Sequence, residues 1–310
     1  MNFITLFDHN YLPQGVALYK SLEKYCKPDF KLYVLCMNDL VYEQLLKFEL
    51  ENLVLLRLLD YETPELLEAK KDRTIGEYCW TLSSHTFAFA KRHTPSLKEI
   101  TYLDTDIFFF DHPEKLIQEL DDHNKSVLIT EHAFGPGYEH SIANGRFCIQ
   151  FLTVRYNDES AKVIKKWQDQ CTEWCYFRNE EGKFGDQKYL DEWPTLYPDT
   201  VYILEQKNNA LAPWNVENYL KKNEKPVFYH FHNFRFIESH KARCYHNYKI
   251  SKKNQWIYRE YKKVLQDIFV EMDSLKMVRP FFPRDKQTFQ SLRDWKHVYL
   301  SKNTLFQTYS

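Results

Sequence analysis

Two carboxylates, Asp104 and Asp106, interrupt an otherwise apolar run, Tyr102-Leu103-Asp104-Thr105-Asp106-Ile107-Phe108-Phe109-Phe110. A carboxylate buried without a partner is costly, so this pair must meet cations or donors, or open onto solvent. Read as one strand, alternation puts both side chains on one face and Thr105 on the other. Converging carboxylates at the end of a hydrophobic strand suit a hard divalent cation, which takes oxygen ligands and bridges to phosphate oxygens. The bland alternative is a surface turn between two strands, which flanks this hydrophobic disfavour. Other polar groups fall where chemistry could use them. They are Asp8, Asn10 and Tyr11 after the first strand, Glu131 and His132 after a middle strand, Asp186 and Gln187 after a glycine, Trp214 and Asn215 in a turn, and His230, His232 and Arg235 near a last strand.

The elements that must carry these groups alternate. Phe3–Phe7, Phe30–Cys36 and Leu53–Leu58 read as strands, separated by helices from Pro13 to Cys26 and from Asp39 to Phe48. A helix over Gly76–Arg92 leads to the strand bearing the two aspartates. Strands follow at Ser126–Thr130 and Phe147–Val154, then a long helix from Asn157 to about Arg178, which would place Cys171 and Cys175 on one face. The alternation predicts an α/β fold with a parallel sheet covered by helices, where ligands gather at the carboxyl ends of the strands. Gly185 before Asp186-Gln187 reads as a loop entering a short helix that Asp186 would cap. Asp8 and Asn10 equally suit a capped helix start. Trp214 is either an exposed aromatic plate or a core residue.

Composition narrows the classes. The 310 residues are 44% hydrophobic and 17% aromatic, enough for one large domain with a sizeable core. Only 7 glycines are present, and no G-x-G-x-x-G or G-x-x-x-x-G-K occurs, so metal, side chains or helix ends must hold any phosphate. The net charge is -1, yet the stretch 241–310 carries 15 Lys/Arg against 6 Asp/Glu. That basic extension, most helical between Lys253 and Ser274, either packs on the body through Trp256, Tyr258, Tyr261, Leu265 and Phe269 or makes a peripheral contact with an anionic membrane face. It lacks an aromatic platform for nucleic acid, so none is expected as a partner. Seven cysteines without a C-x-x-C read as free thiols in a reducing compartment. No signal peptide and no apolar run near ~18 residues is seen, so the expected location is cytoplasmic, with the inner membrane face open to it.

Taken together, residues 1–240 resemble the GT-A glycosyltransferases, in particular the family 8-like nucleotide-diphospho-sugar transferases. Asp8-His9-Asn10-Tyr11 is similar to the family's D-x-N-Y segment, Tyr102–Asp106 to its Y-L-D-x-D motif, Asp186-Gln187 to its D-Q segment, and His230-Phe231-His232-Asn233 to its H-F-x-G element. Stretches 77–81, 184–194 and 212–215 resemble a subgroup found with surface-polysaccharide genes, which implies a lipopolysaccharide or capsule role. Asn233 stands where the family has glycine, Arg235 is the candidate for an expected lysine, and Phe147–Gln150 replaces Y-N-x-G. The resemblance implies a GT-A (Rossmann-like) catalytic domain over 1–240 with a C-terminal helical extension over 241–310. It implies transfer of a hexosyl group, with retention, from a UDP-sugar to an oligosaccharide or lipid-linked glycan. Mn²⁺ or Mg²⁺ would sit on Asp104, Asp106 and His230, with His232 as the competing histidine. Asp8, Asn10, Tyr11, Asp104 and Arg235 would hold the nucleotide, Asp186 and Gln187 would serve catalysis, and Glu131, His132, Trp214 and Asn215 would contact sugar or acceptor. The other readings are a nucleotidyltransferase and a sugar-nucleotide or glycan-binding relative without transfer.

Overall fold

The computed structural model describes residues 1–238, 241–245 and 247–280. The strands are β1 Asn2–Phe7, β2 Lys31–Cys36, β3 Leu53–Arg57, β4 Glu99–Leu103, β5 Ile107–Phe109, β6 Val127–Glu131, β7 Phe147–Arg155, β8 Val201–Ile203, β9 Ala210–Leu211, β10 Phe228–His230, β11 Arg235–Glu238 and β12 Lys241–Arg243. The principal helices are α1 Leu12–Cys26, α2 Asp39–Lys47, α3 Pro64–Lys70, α4 Ile75–His93, α5 Glu114–Asp122 and α6 Asp158–Glu173. Two single turns, α7 Trp193–Leu196 and α8 Val216–Tyr219, precede α9 Trp256–Ser274. Side-chain caps start several of them. Asn38 accepts from the Val41 N–H at 2.9 Å to open α2, and Thr74 with Glu77 forms a capping box on α4.

Seven strands form the central sheet in the order β3-β2-β1-β4-β7-β6-β8. The chain winds outward from β1 to β3 and then crosses back, so that β4 lies on the other side of β1. That reversal opens a crevice at the carboxyl ends of β1 and β4, where open α/β sheets bind ligands. Asp8 and Asp104 follow those two ends directly. The expected parallel sheet needs one correction, because β7 runs antiparallel to both β4 and β6. An apolar strand buried on both faces carries no sign of its direction, so the sequence alone could not have given this. A second sheet, β5-β10-β9, stands beside the first, with β10 antiparallel to β5 and parallel to β9.

The run from Tyr102 to Phe110 is also corrected. It is two strands in two different sheets, and Asp104–Asp106 is the turn between them. This turn is buried rather than exposed because each part of it is fixed. The Asp104 N–H donates to the Gln150 carbonyl at 3.1 Å, and the Phe231 N–H donates to the Asp106 carbonyl at 2.8 Å. The Thr105 hydroxyl donates to the Leu6 carbonyl at 2.9 Å. The long helix after Asn157 stops at Glu173, because Trp174 turns to extended geometry, so Cys171 and Cys175 do not share a helical face.

Of the basic extension, α9 is described, while 239–240, 246 and 281–310 lie outside the described residues. The helix presents Tyr258, Tyr261, Leu265, Ile268 and Phe269 to the same apolar core as α1, β5 and β10. Lys20 on α1 pairs with Glu271 at 2.6 Å. Among the described residues no helix is long and apolar enough to cross a membrane.

Candidate active site

The β1/β4 crevice opens into a cavity of 650 Å³ whose lining runs from Leu6 to Tyr248. It gathers Asp8, Tyr11, Asp104, Asp106, His132, Asp186, Gln187, Trp214, His230, His232 and Arg235. Three residues expected there are not part of the lining. The Asn10 amide donates to Asp8 at 2.9 Å. Glu131 is paired with Arg146 and Lys207, each at 2.6 Å. Asn215 is spent on backbone, accepting from the Ala212 N–H at 2.8 Å and donating to the His132 carbonyl at 3.0 Å.

At the floor, the antiparallel register of β10 against β5 sets His230 opposite Ile107 and so beside the Asp104–Asp106 turn. The His230 Nε2 lies 3.0 Å from Asp106 Oδ1 and 3.7 Å from Asp104 Oδ2. Its other ring nitrogen, Nδ1, is 2.8 Å from Gln150 Oε1. An amide oxygen can only accept, so Nδ1 carries a proton and Nε2 is the nitrogen offered to the carboxylates. Burial opposes charge on this imidazole, but Asp106 and then Asp104 outweigh it and hold its pKa well above the ordinary value. Burial likewise disfavours the Asp106 anion, and His230 more than reverses that, leaving the carboxyl far below its usual range. Asp104 is the under-compensated member. Burial pushes it up to about 6 against the pull of His230, and the Tyr102 hydroxyl donates to it at 3.2 Å.

This donor set fits a divalent cation. It offers two carboxylates and an imidazole whose far nitrogen is already held, the arrangement by which proteins orient a metal-ligating histidine. His232 points elsewhere, with Nδ1 2.8 Å from the Tyr248 hydroxyl, and burial lowers its pKa to about 3. Trp214 braces both histidines edge-on, at 5.5 Å from His230 and 5.4 Å from His232, while its indole N–H donates to the His132 carbonyl. His132 lies flat against Phe134 at 4.6 Å, and burial lowers it to about 4.

The opposite wall is built differently. Gly185, in the left-handed region at φ 52°, turns the chain beside Trp80 and delivers Asp186 into the cavity. Asp186 stands at the start of a 3₁₀ turn, Gln187–Glu192, but its carboxylate makes no cap, contrary to expectation. It accepts from Ser83 of α4 at 2.7 Å instead. Burial pushes its pKa up to about 7, with Ser83 opposing and Asp104 adding to the rise. Gln187 donates to the Asn144 carbonyl at 2.9 Å. Beside Asp8, the Arg235 guanidinium lies 5.4 Å from the Tyr11 ring, and burial raises the Tyr11 phenol to about 12.

Sequence reasoning missed Cys148, Gln150, Ser83 and the aromatic lip of Trp80, Phe177 and Phe184. A signal existed for one of them. Gln150 is a fully buried amide in a largely apolar strand, and such a group needs a polar partner.

No protein-family model matches the chain. The LgtC galactosyltransferase, solved with donor and acceptor sugar analogs, matches this fold with a TM-score of 0.53 at 16% identity, over 86% of this chain and 96% of that one. Apo GlyE, a glycosyltransferase of Streptococcus pneumoniae TIGR4, matches with a TM-score of 0.51 at 14% identity, over 88% of this chain and 64% of that one. At these identities the likeness establishes the GT-A glycosyltransferase fold. In sequence, YfnF, an uncharacterized protein of Bacillus subtilis (strain 168), is 27% identical over 290 residues, 88% of this chain and 94% of YfnF. YfnD of the same organism, also uncharacterized, is 30% identical over 248 residues, covering 76% of this chain and 78% of YfnD. The chain therefore belongs to the family of YfnD, and it carries that family's sequence on a GT-A glycosyltransferase fold.

Proposed function

We propose that this protein transfers a sugar from a nucleoside-diphosphate donor, with uridine favoured, to a hydroxyl of an oligosaccharide or lipid-linked glycan in surface-polysaccharide synthesis. One observation carries the reading. Asp104, Asp106 and His230 converge at the switch-point crevice of a GT-A fold, on the floor of a cavity large enough for a nucleotide sugar. The same fold in LgtC holds donor and acceptor sugar analogs.

Asp8 and Tyr11 would hold the ribose and base, and Arg235 would steady the diphosphate as a planar cation. Mn²⁺ or Mg²⁺ on Asp104, Asp106 and His230 would supply Lewis-acid neutralisation of the charge that builds on the departing diphosphate. Asp186 and Gln187 face the sugar from the other wall. With retention, the Asp186 carboxylate supports the positive sugar centre. With inversion it would be the general base, a task its pKa of about 7 also suits.

The test is a thermal-shift panel of nucleoside diphosphates and nucleotide sugars with Mn²⁺, Mg²⁺ or chelator, followed by NMR of the product anomer. Stabilisation by one uridine nucleotide that disappears with chelator supports the donor site; ligand at about 100 times its Kd gives about 2.7 kcal/mol. No stabilisation by any nucleotide, in the presence or absence of acceptor glycans, overturns it.

A further inference from the structure

Cys148 occupies a place the proposed transfer leaves unused. It lies two residues before Gln150 on β7, in the stretch where pairing with β6 shifts register, and both residues neighbour His230. Its Sγ, one carboxylate oxygen of Asp104 and one ring nitrogen of His230 all fall within 4.8 Å of one another. Among the described residues these three form the one such group of His, Cys, Asp and Glu. The thiol is nearly buried, at 4% exposure, yet it borders the cavity. Ala212 and Trp214 pack on it, and packing alone would leave its position against two candidate ligands unexplained.

We propose that Cys148, with Asp104 and His230, is a ligand of the cation this site would hold, Asp106 standing at its edge 3.0 Å from His230, so that the site favours thiophilic divalent ions such as Co²⁺ and Zn²⁺, with Mn²⁺ next and Mg²⁺ last. This rests on the metal-dependent reading above. Thiolate donors select softer ions, whereas a site of oxygen ligands alone suits Mg²⁺. On coordination the S–H bond breaks, the sulfur–metal bond forms and the proton leaves to solvent, as it must for any thiol ligand. Without an ion, burial keeps the thiol protonated, and His230 partly offsets that effect. Gln150, by fixing the Nδ1 proton of His230, keeps the imidazole ready for the same ion.

The experiment is an anaerobic titration of the full chain, stripped with chelator, with Co²⁺. Sulfur coordination gives an intense near-ultraviolet charge-transfer band that oxygen and nitrogen ligands do not. The expected result is a band that saturates with one Co²⁺ per chain and disappears in Cys148→Ser. Calorimetry on that variant should still show Co²⁺ binding, weaker by about tenfold or more, with a smaller change for Mg²⁺. Cys148→Ala, checked by thermal melting, serves if the serine variant misfolds. Co²⁺ binding that needs Asp106 but shows no band overturns the cysteine ligand and leaves the metal site standing. A band that persists in Cys148→Ser also overturns it, and points to another thiol such as Cys79, which borders the same cavity. If neither Co²⁺ nor Mn²⁺ binds in an Asp106-dependent way, the metal-dependent reading itself falls.

Discussion

The cavity holds buried carboxylates on two walls, and they are kept in opposite ways. Asp106 on the floor has an imidazole at 3.0 Å and is held far below the usual carboxyl range. Asp186 on the far wall accepts from the Ser83 hydroxyl, and burial raises it to about 7. On the floor Asp106 is arranged to keep its negative charge at every ordinary pH, whereas Asp186 on the far wall carries it conditionally. A site that binds a cation and a diphosphate needs the first kind of wall. A site that must receive a sugar hydroxyl and survive a transient positive centre is served by the second.

The comparison breaks most visibly at the floor. Asp106→Ala should abolish metal-dependent stabilisation by nucleotide and lower turnover by ~10³-fold or more, read by thermal shift and by release of nucleoside diphosphate. Asp186→Asn should separate the walls, lowering kcat by roughly 10²-fold while nucleotide-induced stabilisation survives. The same variant carries a pH signature. The folded pKa of Asp186 lies above the ordinary 3.8, so its neutral form is favoured by folding. Its contribution to stability is full below about pH 4 and fades as pH rises through about 7, by at most ~1.4 kcal/mol per pH unit. Melts of wild type against Asp186→Asn between pH 5 and 8 should therefore diverge, with the asparagine variant relatively more stable at the alkaline end. Gln150→Leu should weaken metal binding by about 10- to 100-fold, because the His230 ring loses its holder. Smallest of all, Glu131→Gln should cost about 1 kcal/mol or less of stability and leave nucleotide binding unchanged, since its partners Arg146 and Lys207 are largely solvent-facing.

The same contrast marks what could be read from the sequence. The floor was legible because its residues announce themselves, with two aspartates in an apolar run and a histidine ending a strand. The strands and helices from β1 to α2 followed from periodicity, and α9 falls inside the stretch expected to be helical, whereas α3, β8 and β9 were not read. The far wall was not legible in its geometry. Asp186 looked like a helix cap because the local chain supports that reading, and a serine 103 residues away took its carboxylate instead. Cys148 and Gln150 were hidden for a similar reason. In β7, buried on both faces, every residue looks like packing until the pairing with β4 and the nearness of β10 give two of them a neighbour. Long-range pairing decides such roles, and it leaves no local trace.

The contacts of α9 bear on how the chain folds as it is made. Tyr261 stacks on Phe231 at 3.8 Å, and the Tyr258 hydroxyl meets that of Tyr229, so the helix grips the residues on either side of His230. The Lys20–Glu271 pair spans 251 positions. During synthesis the two aspartates leave the ribosome long before the helix that seats their histidine partner, and contacts so distant in sequence form slowly. Until α9 has emerged, the strand that carries His230 lacks the aromatic side chains that pack on the residues either side of it. Docking of α9 behind β10 is thus a late step in completing the candidate site, because the residues flanking His230 wait for a helix that begins 26 positions further on.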